Sequence, residues 1–159
     1  MPLNPGITGI TNKSGNEIIT RISSSYINTA ATISIVRTIM HELIHAHLLH
    51  LNYGNPGSDM FQSLLAFASA EGYTDQQELH HEFMPTFIDV ISQGFYQWDQ
   101  ANNPGNVQPM QFYKDLAWGG LDGTSAFLAN FPNQSDRTRI QNVIQREASN
   151  HSLAKGTPC

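Results

Sequence analysis

The sequence predicts an α+β fold, mostly helical, and three observations lead to it. An apolar helical repeat runs through residues 33–51. A second runs from about Asp75 to Trp98, with Leu79, Phe83, Met84, Phe87, Ile88, Ile91 and Phe95 at helical spacing. One segment, 17–23, alternates around β-branched residues as a strand does.

Residues 1–16, rich in Gly, Pro, Asn and Thr, read as a flexible lead-in. The strand at 17–23 is expected to edge a cleft, where a substrate backbone could pair with it. Thr29 or Thr32 starts the first long helix, which runs to about Leu51 and is stopped by Asn52-Tyr53-Gly54-Asn55-Pro56-Gly57. A short helix near 60–70 ends at Glu71-Gly72-Tyr73, and Thr74 or Asp75 caps the second long helix, 75–98. After the loop Asn102-Asn103-Pro104-Gly105-Asn106 come helices over 110–117 and 137–149, separated by Trp118-Gly119-Gly120-Leu121-Asp122-Gly123-Thr124. The chain from 150 reads as a flexible tail, leaving 17–149 as one folded domain.

Composition narrows the function. Charged residues are 13% of the chain, against a usual share of about 25%, so the surface is polar but weakly charged. The net charge of −5 argues against holding nucleic acid by its phosphates, which needs a basic face. The only cysteine is Cys159, so neither an internal disulfide nor a Cys-rich zinc ribbon can form. No stretch reaches the roughly 18 apolar residues that would span a bilayer, and Met1-Pro2-Leu3-Asn4-Pro5-Gly6 lacks the pattern of a signal peptide. The expected compartment is therefore cytoplasmic, although the low Lys content and the Asn/Ser/Thr-rich surface point toward export. No sequence feature sets an oligomeric state.

The chemistry is concentrated in residues 41–45, His-Glu-Leu-Ile-His. On a helix, His41 and His45 stand one turn apart on one face, so both imidazoles can reach one Zn²⁺ at about 2.0–2.1 Å. Glu42 follows the first ligand directly, where its carboxylate can take a proton from water at the metal's open position. Catalytic zinc needs a third protein ligand. The extended pattern ending in Gly and His fails, because Leu48 and Leu51 occupy those positions. His47 and His50 lie on other faces of the helix. Glu71 and Glu78 are possible donors from a following helix. The pair His80-His81, opening an apolar helix, is compositionally rare and the stronger source. The helical wheel puts His80 near the centre of the apolar face and His81 at its edge, about 100° away.

The run Arg37-Thr38-Ile39-Met40-His41-Glu42-Leu43-Ile44-His45-Ala46-His47-Leu48 resembles the SprT-like metallopeptidases, in particular small bacterial and phage-type members of that group. His81-Glu82-Phe83-Met84 is similar to the segment that carries their third ligand, and the resemblance therefore selects His81. Tyr113-Lys114-Asp115-Leu116-Ala117-Trp118-Gly119-Gly120-Leu121 resembles their C-terminal part, so the likeness spans roughly 17–147. It implies a zincin-like core in which the HExxH helix meets a second ligand-bearing helix and a small β-sheet. This chain departs from the pattern in having no zinc ribbon and no basic surface.

The expected function is that of a zinc metalloendopeptidase. His41, His45 and His81 hold Zn²⁺, Glu42 activates the zinc-bound water, and a protein or peptide is the substrate. Neither nucleic acid nor membrane is an expected partner. Tyr113, beside the Trp-Gly-Gly turn, is the candidate oxyanion donor, against the plainer reading of a half-buried aromatic. Two alternatives remain: a non-catalytic, zinc-stabilised interaction domain, and a toxin-like effector protease released from a larger protein.

Overall fold

The computed structural model describes residues 3–4, 6–54 and 59–158 and has an α+β, mostly helical architecture. Strands β1 (Gly9–Ser14) and β2 (Glu17–Ile22) pair antiparallel, from Gly9 opposite Ile22 to Ser14 opposite Glu17. Gly15, at φ +60°, and Asn16 make the two-residue turn between them. A glycine in the first position of such a turn supplies the positive φ that matches the twist of the strands. Residues 9–14 are thus a paired strand, where the sequence suggested a flexible lead-in. Register with β2 overrides their weak strand propensity.

After a short turn of helix, α1 (Ser24–Ile27), the chain enters α2 (Thr32–Gly54), which contains the HExxH segment. Residues 55–58, the centre of the expected stop signal, lie outside the described residues, as does Cys159. Helix α3 (Asp59–Glu71) follows, and the Asp75 carboxylate then caps α4 (Gln76–Phe83) by accepting the Glu78 N–H at 2.9 Å.

The second long helix of the sequence reading is two helices. A 3-10 turn over Met84–Phe87 separates α4 from α5 (Ile88–Asn102). Pro85 is the cause: it lacks an N–H, and its ring collides with the preceding turn of an α-helix. The chain closes with α6 (Met110–Ala117), α7 (Ser125–Asn130, capped by Thr124) and α8 (Gln134–Ala148). No described helix is long and apolar enough to cross a membrane.

Helix α2 runs through two apolar groups. Toward its N-terminus, Ile33 packs among Phe95, Tyr113, Leu116 and Ile140 of α5, α6 and α8. Toward its C-terminus, Leu48 and Leu51 meet Leu64 of α3 and Leu79 and Phe83 of α4. His41 and His45 fall between these groups, where α2 meets β1 and the last turn of α4.

The segment 151–158 is also docked, contrary to the flexible tail expected from its composition. Pro158 bridges to Ala31, and Thr32 donates its N–H to the Thr157 carbonyl at 2.9 Å. The buried Glu147 carboxylate accepts the N–H groups of Lys155 at 2.6 Å and Gly156 at 3.0 Å. Hydrogen bonds to a charged, buried acceptor each contribute about 1.5–3 kcal/mol. Glu147→Ala is accordingly expected to lower unfolding stability by about 2–3 kcal/mol in a urea titration. A loss under about 0.5 kcal/mol, the usual scale of a surface substitution, would show that the tail is not held this way.

Candidate metal centre

Two helices bring three imidazoles to one point. His41 and His45, one turn apart on α2, place their Nε2 atoms 3.2 Å from each other. His81, on α4, places its Nε2 3.1 Å from that of His45. The donor atoms of all three lie within 4.8 Å of one another, so this group could hold a metal ion. Tetrahedral ligands at a bond length of about 2.0–2.1 Å stand about 3.3 Å apart. The observed separations are close to that edge.

Burial holds the set in the metal-binding protonation state. His41 is pushed well below its ordinary value by desolvation first, then by His45, Arg37 and His81. His45 is lowered to about 3, chiefly by burial and then by His81 and His80, and His81 is lowered by burial. Each imidazole is therefore neutral at pH 7, with a lone pair free for an ion.

His80 is brought to the site by a different route. It is 1% exposed, within the α2–α4 contact, and its Nδ1 lies 3.3 Å from Nδ1 of His45. If Nε2 of His45 binds an ion, its Nδ1 would carry the proton and donate to His80. Such a partner fixes the tautomer and orientation of a ligating imidazole. His80 thus stands behind His45, and His81 joins the cluster. Nε2 of His80 is buried without a partner. The other sequence candidates stay outside: His47, His50, Glu71 and Glu78 are all exposed.

Glu42 is buried beside the cluster, and its Oε2 has no hydrogen-bond partner. Burial raises its pKa, against the opposing effects of the Thr11 hydroxyl and Arg37. Strand β1 crosses directly over it. A side chain at Gly9 would put a Cβ 2.8 Å from Oε1 of Glu42 and 2.9 Å from Cγ2 of Thr38, so any other residue would have to displace them. Thr11, two residues on, donates to the Glu42 carbonyl at 3.1 Å. On the opposite side, Gly120 at φ +86° lets its loop pass His41, where a Cβ would stand 3.1 Å from Cε1.

These parts enclose a cleft of about 450 Å³, lined by residues 6–12 on one side and by His41, Glu42, His45 and His81 on the other. The strand that edges it is β1, not the predicted 17–23 segment, which lies outside it as β2. Tyr113 does not reach the cleft. It is fully buried, its hydroxyl donating to Asp99 at 2.6 Å and accepting the Gln108 N–H at 2.8 Å. Burial and the Asp99 carboxylate push it up to about 12. It is a core residue, so the oxyanion role expected for it is withdrawn.

Sequence reasoning passed over Gly9 and Arg37. Arg37 carried a signal: at i−4 from His41 it shares the face of the two histidines, and it too lines the cleft. No family model matches this chain, and no curated protein or solved structure matches it.

Two outcomes are expected here. His81→Ala removes a donor and should abolish tight metal binding, whereas His80→Ala should weaken it by about 10–100-fold. Competition with a chelator series measures both, and equal effects would undo the distinction between ligand and supporting residue. The second concerns pH. The unfolded chain protonates its histidines as pH falls through about 6.5, while burial keeps His80 neutral to about 4 and His45 to about 3 in the fold. Stability is complete above pH 6.5 and is lost as pH drops from there toward 4 and then 3. The raised pKa of Glu42 acts in the opposite sense, but one carboxyl stands against several imidazoles. Metal-free protein in chelator should therefore melt at steadily lower temperature between pH 6.5 and 4, and a flat profile would contradict the burial of neutral histidines.

Proposed function

We propose that this protein is a zinc-dependent endopeptidase with a zincin-like core of the SprT-like kind. The observation that carries this reading is a single arrangement: three neutral imidazoles converging beside a buried carboxylate, one oxygen of which has no partner, in a cleft edged by a strand. An all-imidazole donor set suits zinc among the common biological metals, and three protein donors leave a position for water. A purely structural zinc site normally closes with a fourth protein ligand. Among the described residues, the group of donors contains three.

When bound, the ion polarises a scissile carbonyl and acidifies the attacking water. The remaining work falls to this chain. Glu42 takes the proton released as water attacks the carbonyl carbon, and the same carboxyl returns it to the leaving nitrogen. Its raised pKa helps the first half of that task, since a carboxylate that holds a proton more firmly is a better acceptor from water. Desolvation by burial, to which β1 contributes, is the source of that shift. His80 keeps His45 in one tautomer throughout. Strand β1 has β2 on one side, leaving its other edge to receive an extended peptide backbone beside Glu42.

Glu42→Gln separates this reading from a non-catalytic zinc module. The amide is isosteric, so metal content and melting temperature should be retained. Hydrolysis of a denatured, mixed-sequence protein substrate should fall by at least about 100-fold, the lower range for loss of a general base. Unchanged hydrolysis in that variant would remove Glu42 from the mechanism. Failure of zinc-loaded unmutated protein to cleave any such substrate would defeat the peptidase reading.

A further inference from the structure

The cleft holds a cation that the reaction as described does not use. Arg37 is 7% exposed, lines the cleft with His41 and Glu42, and has an Nε with no hydrogen-bond partner. Among the described residues, no carboxylate lies within ion-pair distance of it. Glu42 is near enough to feel its charge but does not pair with it directly, and a buried guanidinium without a directly paired carboxylate is costly, several kcal/mol before compensation by polar neighbours. Such a cost is normally offset by pairing.

The molecule nonetheless fixes the group in place. Nη2 of Arg37 donates to the Thr38 hydroxyl at 3.0 Å. That hydroxyl donates to the Tyr26 hydroxyl at 3.0 Å, and Tyr26 donates to the Ser34 carbonyl at 2.6 Å. All of these hydrogen bonds are buried. The far side of the guanidinium lies against the backbone of Gly119, where a Cβ would come within 2.7 Å of Nη1. One edge of the fork is thus committed to the protein, and Nε remains unpaired.

The surroundings favour an anion. Glu42 is the one acidic residue among the described residues that line the cleft, although the chain as a whole carries −5. A divalent ion on the three histidines would add two further positive charges near Arg37. A planar, rigidly held guanidinium is matched best by a carboxylate, which can accept two parallel N–H bonds.

We propose that Arg37 anchors a carboxylate of the substrate in the cleft, so that the preferred substrates are peptides carrying a carboxylate close to the scissile bond. The proposal takes its meaning of substrate from the peptidase reading, but the anion site exists independently of turnover. The carboxylate comes from one of two sources, a free C-terminus or an Asp or Glu side chain. Arg37 acts here in binding, in contrast to a donor that only stabilises the developing oxyanion.

The test uses zinc-loaded Glu42→Gln protein, immobilised, with three pools of N-acetylated hexapeptides of mixed sequence. One pool is C-amidated and free of Asp and Glu, one is the same set as free acids, and one is C-amidated with a single Glu. Retention is read by mass spectrometry. At least one carboxylate-bearing pool should be retained 10-fold or more over the neutral pool, and the pool retained names the source. Arg37→Met should abolish that preference, and Arg37→Lys, which keeps the charge but loses the fork, should preserve part of it. Equal retention of all pools, retention of none, or a preference that survives Arg37→Met each overturns the proposal. If Arg37→Met fails to fold, as judged by zinc content and melting, the unmutated side chain's preference and the Arg37→Lys variant still decide. Unmutated protein that binds carboxylate peptides through Arg37 but cleaves none would sink the peptidase reading and leave the anion site standing. Cleavage of neutral and acidic pools at equal rates would do the reverse.

Discussion

The packing of α4 onto the C-terminal half of α2 is the contact on which the site depends. Leu48 and Leu51 of α2 and Leu79 and Phe83 of α4 share one apolar cluster with Leu64, and its burial fixes the rotation of α4 about its own axis. That rotation carries His80 into the contact and His81 to its rim. Three imidazoles then stand closer together than their charged forms could tolerate. The fold satisfies this crowding by keeping them neutral, at a pH-dependent cost set by burial. An ion in their midst would convert the same crowding into coordination, and so would stabilise the folded state as well as equip it.

The second constraint is the passage of β1 across α2. The strand lies so close to Glu42 that a Cβ at Gly9 would have to displace its side chain. One contact does two things: it contributes to the desolvation that raises the carboxylate's pKa, and it forms a wall of the cleft. The unsatisfied atoms Arg37 Nε and Glu42 Oε2 are buried at this cleft, and His80 Nε2 is buried behind it in the α2–α4 contact. Among the described residues, buried side-chain polar groups elsewhere are paired, as at Glu147, Asp115 and Tyr113. Unmet hydrogen-bonding capacity gathered at one cleft is what a binding site retains for its ligand.

Some of this arrangement was legible in the sequence because it is local. The spacing of His41 and His45, the helix they stand on, the cap at Asp75 and the strand at 17–22 follow from short-range periodicity and capping chemistry. Pro85 was visible as a breaker, yet the apolar repeat on both sides of it suggested one helix, and the backbone rule prevailed over the side-chain pattern. Gly15-Asn16 was a hairpin signal lying inside a segment whose composition suggested a loop. Composition misled in the same way at 151–158, where docking depends on Glu147, a partner supplied by α8.

The histidine pair shows where the division falls. The helical wheel marked His80 as the centre of the buried face, and it is buried, but burial is not ligation. A cleft opens at the edge of a packed face, and His81 occupies that edge. The sequence by itself determined which residue types were available and which of them shared a helix face, because those relations extend over one or two turns of backbone. Only the tertiary structure decided that His81 meets His45, that Gly9 lies over Glu42, and that Arg37 has no carboxylate at ion-pair distance among the described residues. Each of those depends on how separate elements rotate and approach to bury their apolar faces, a result that no single segment encodes.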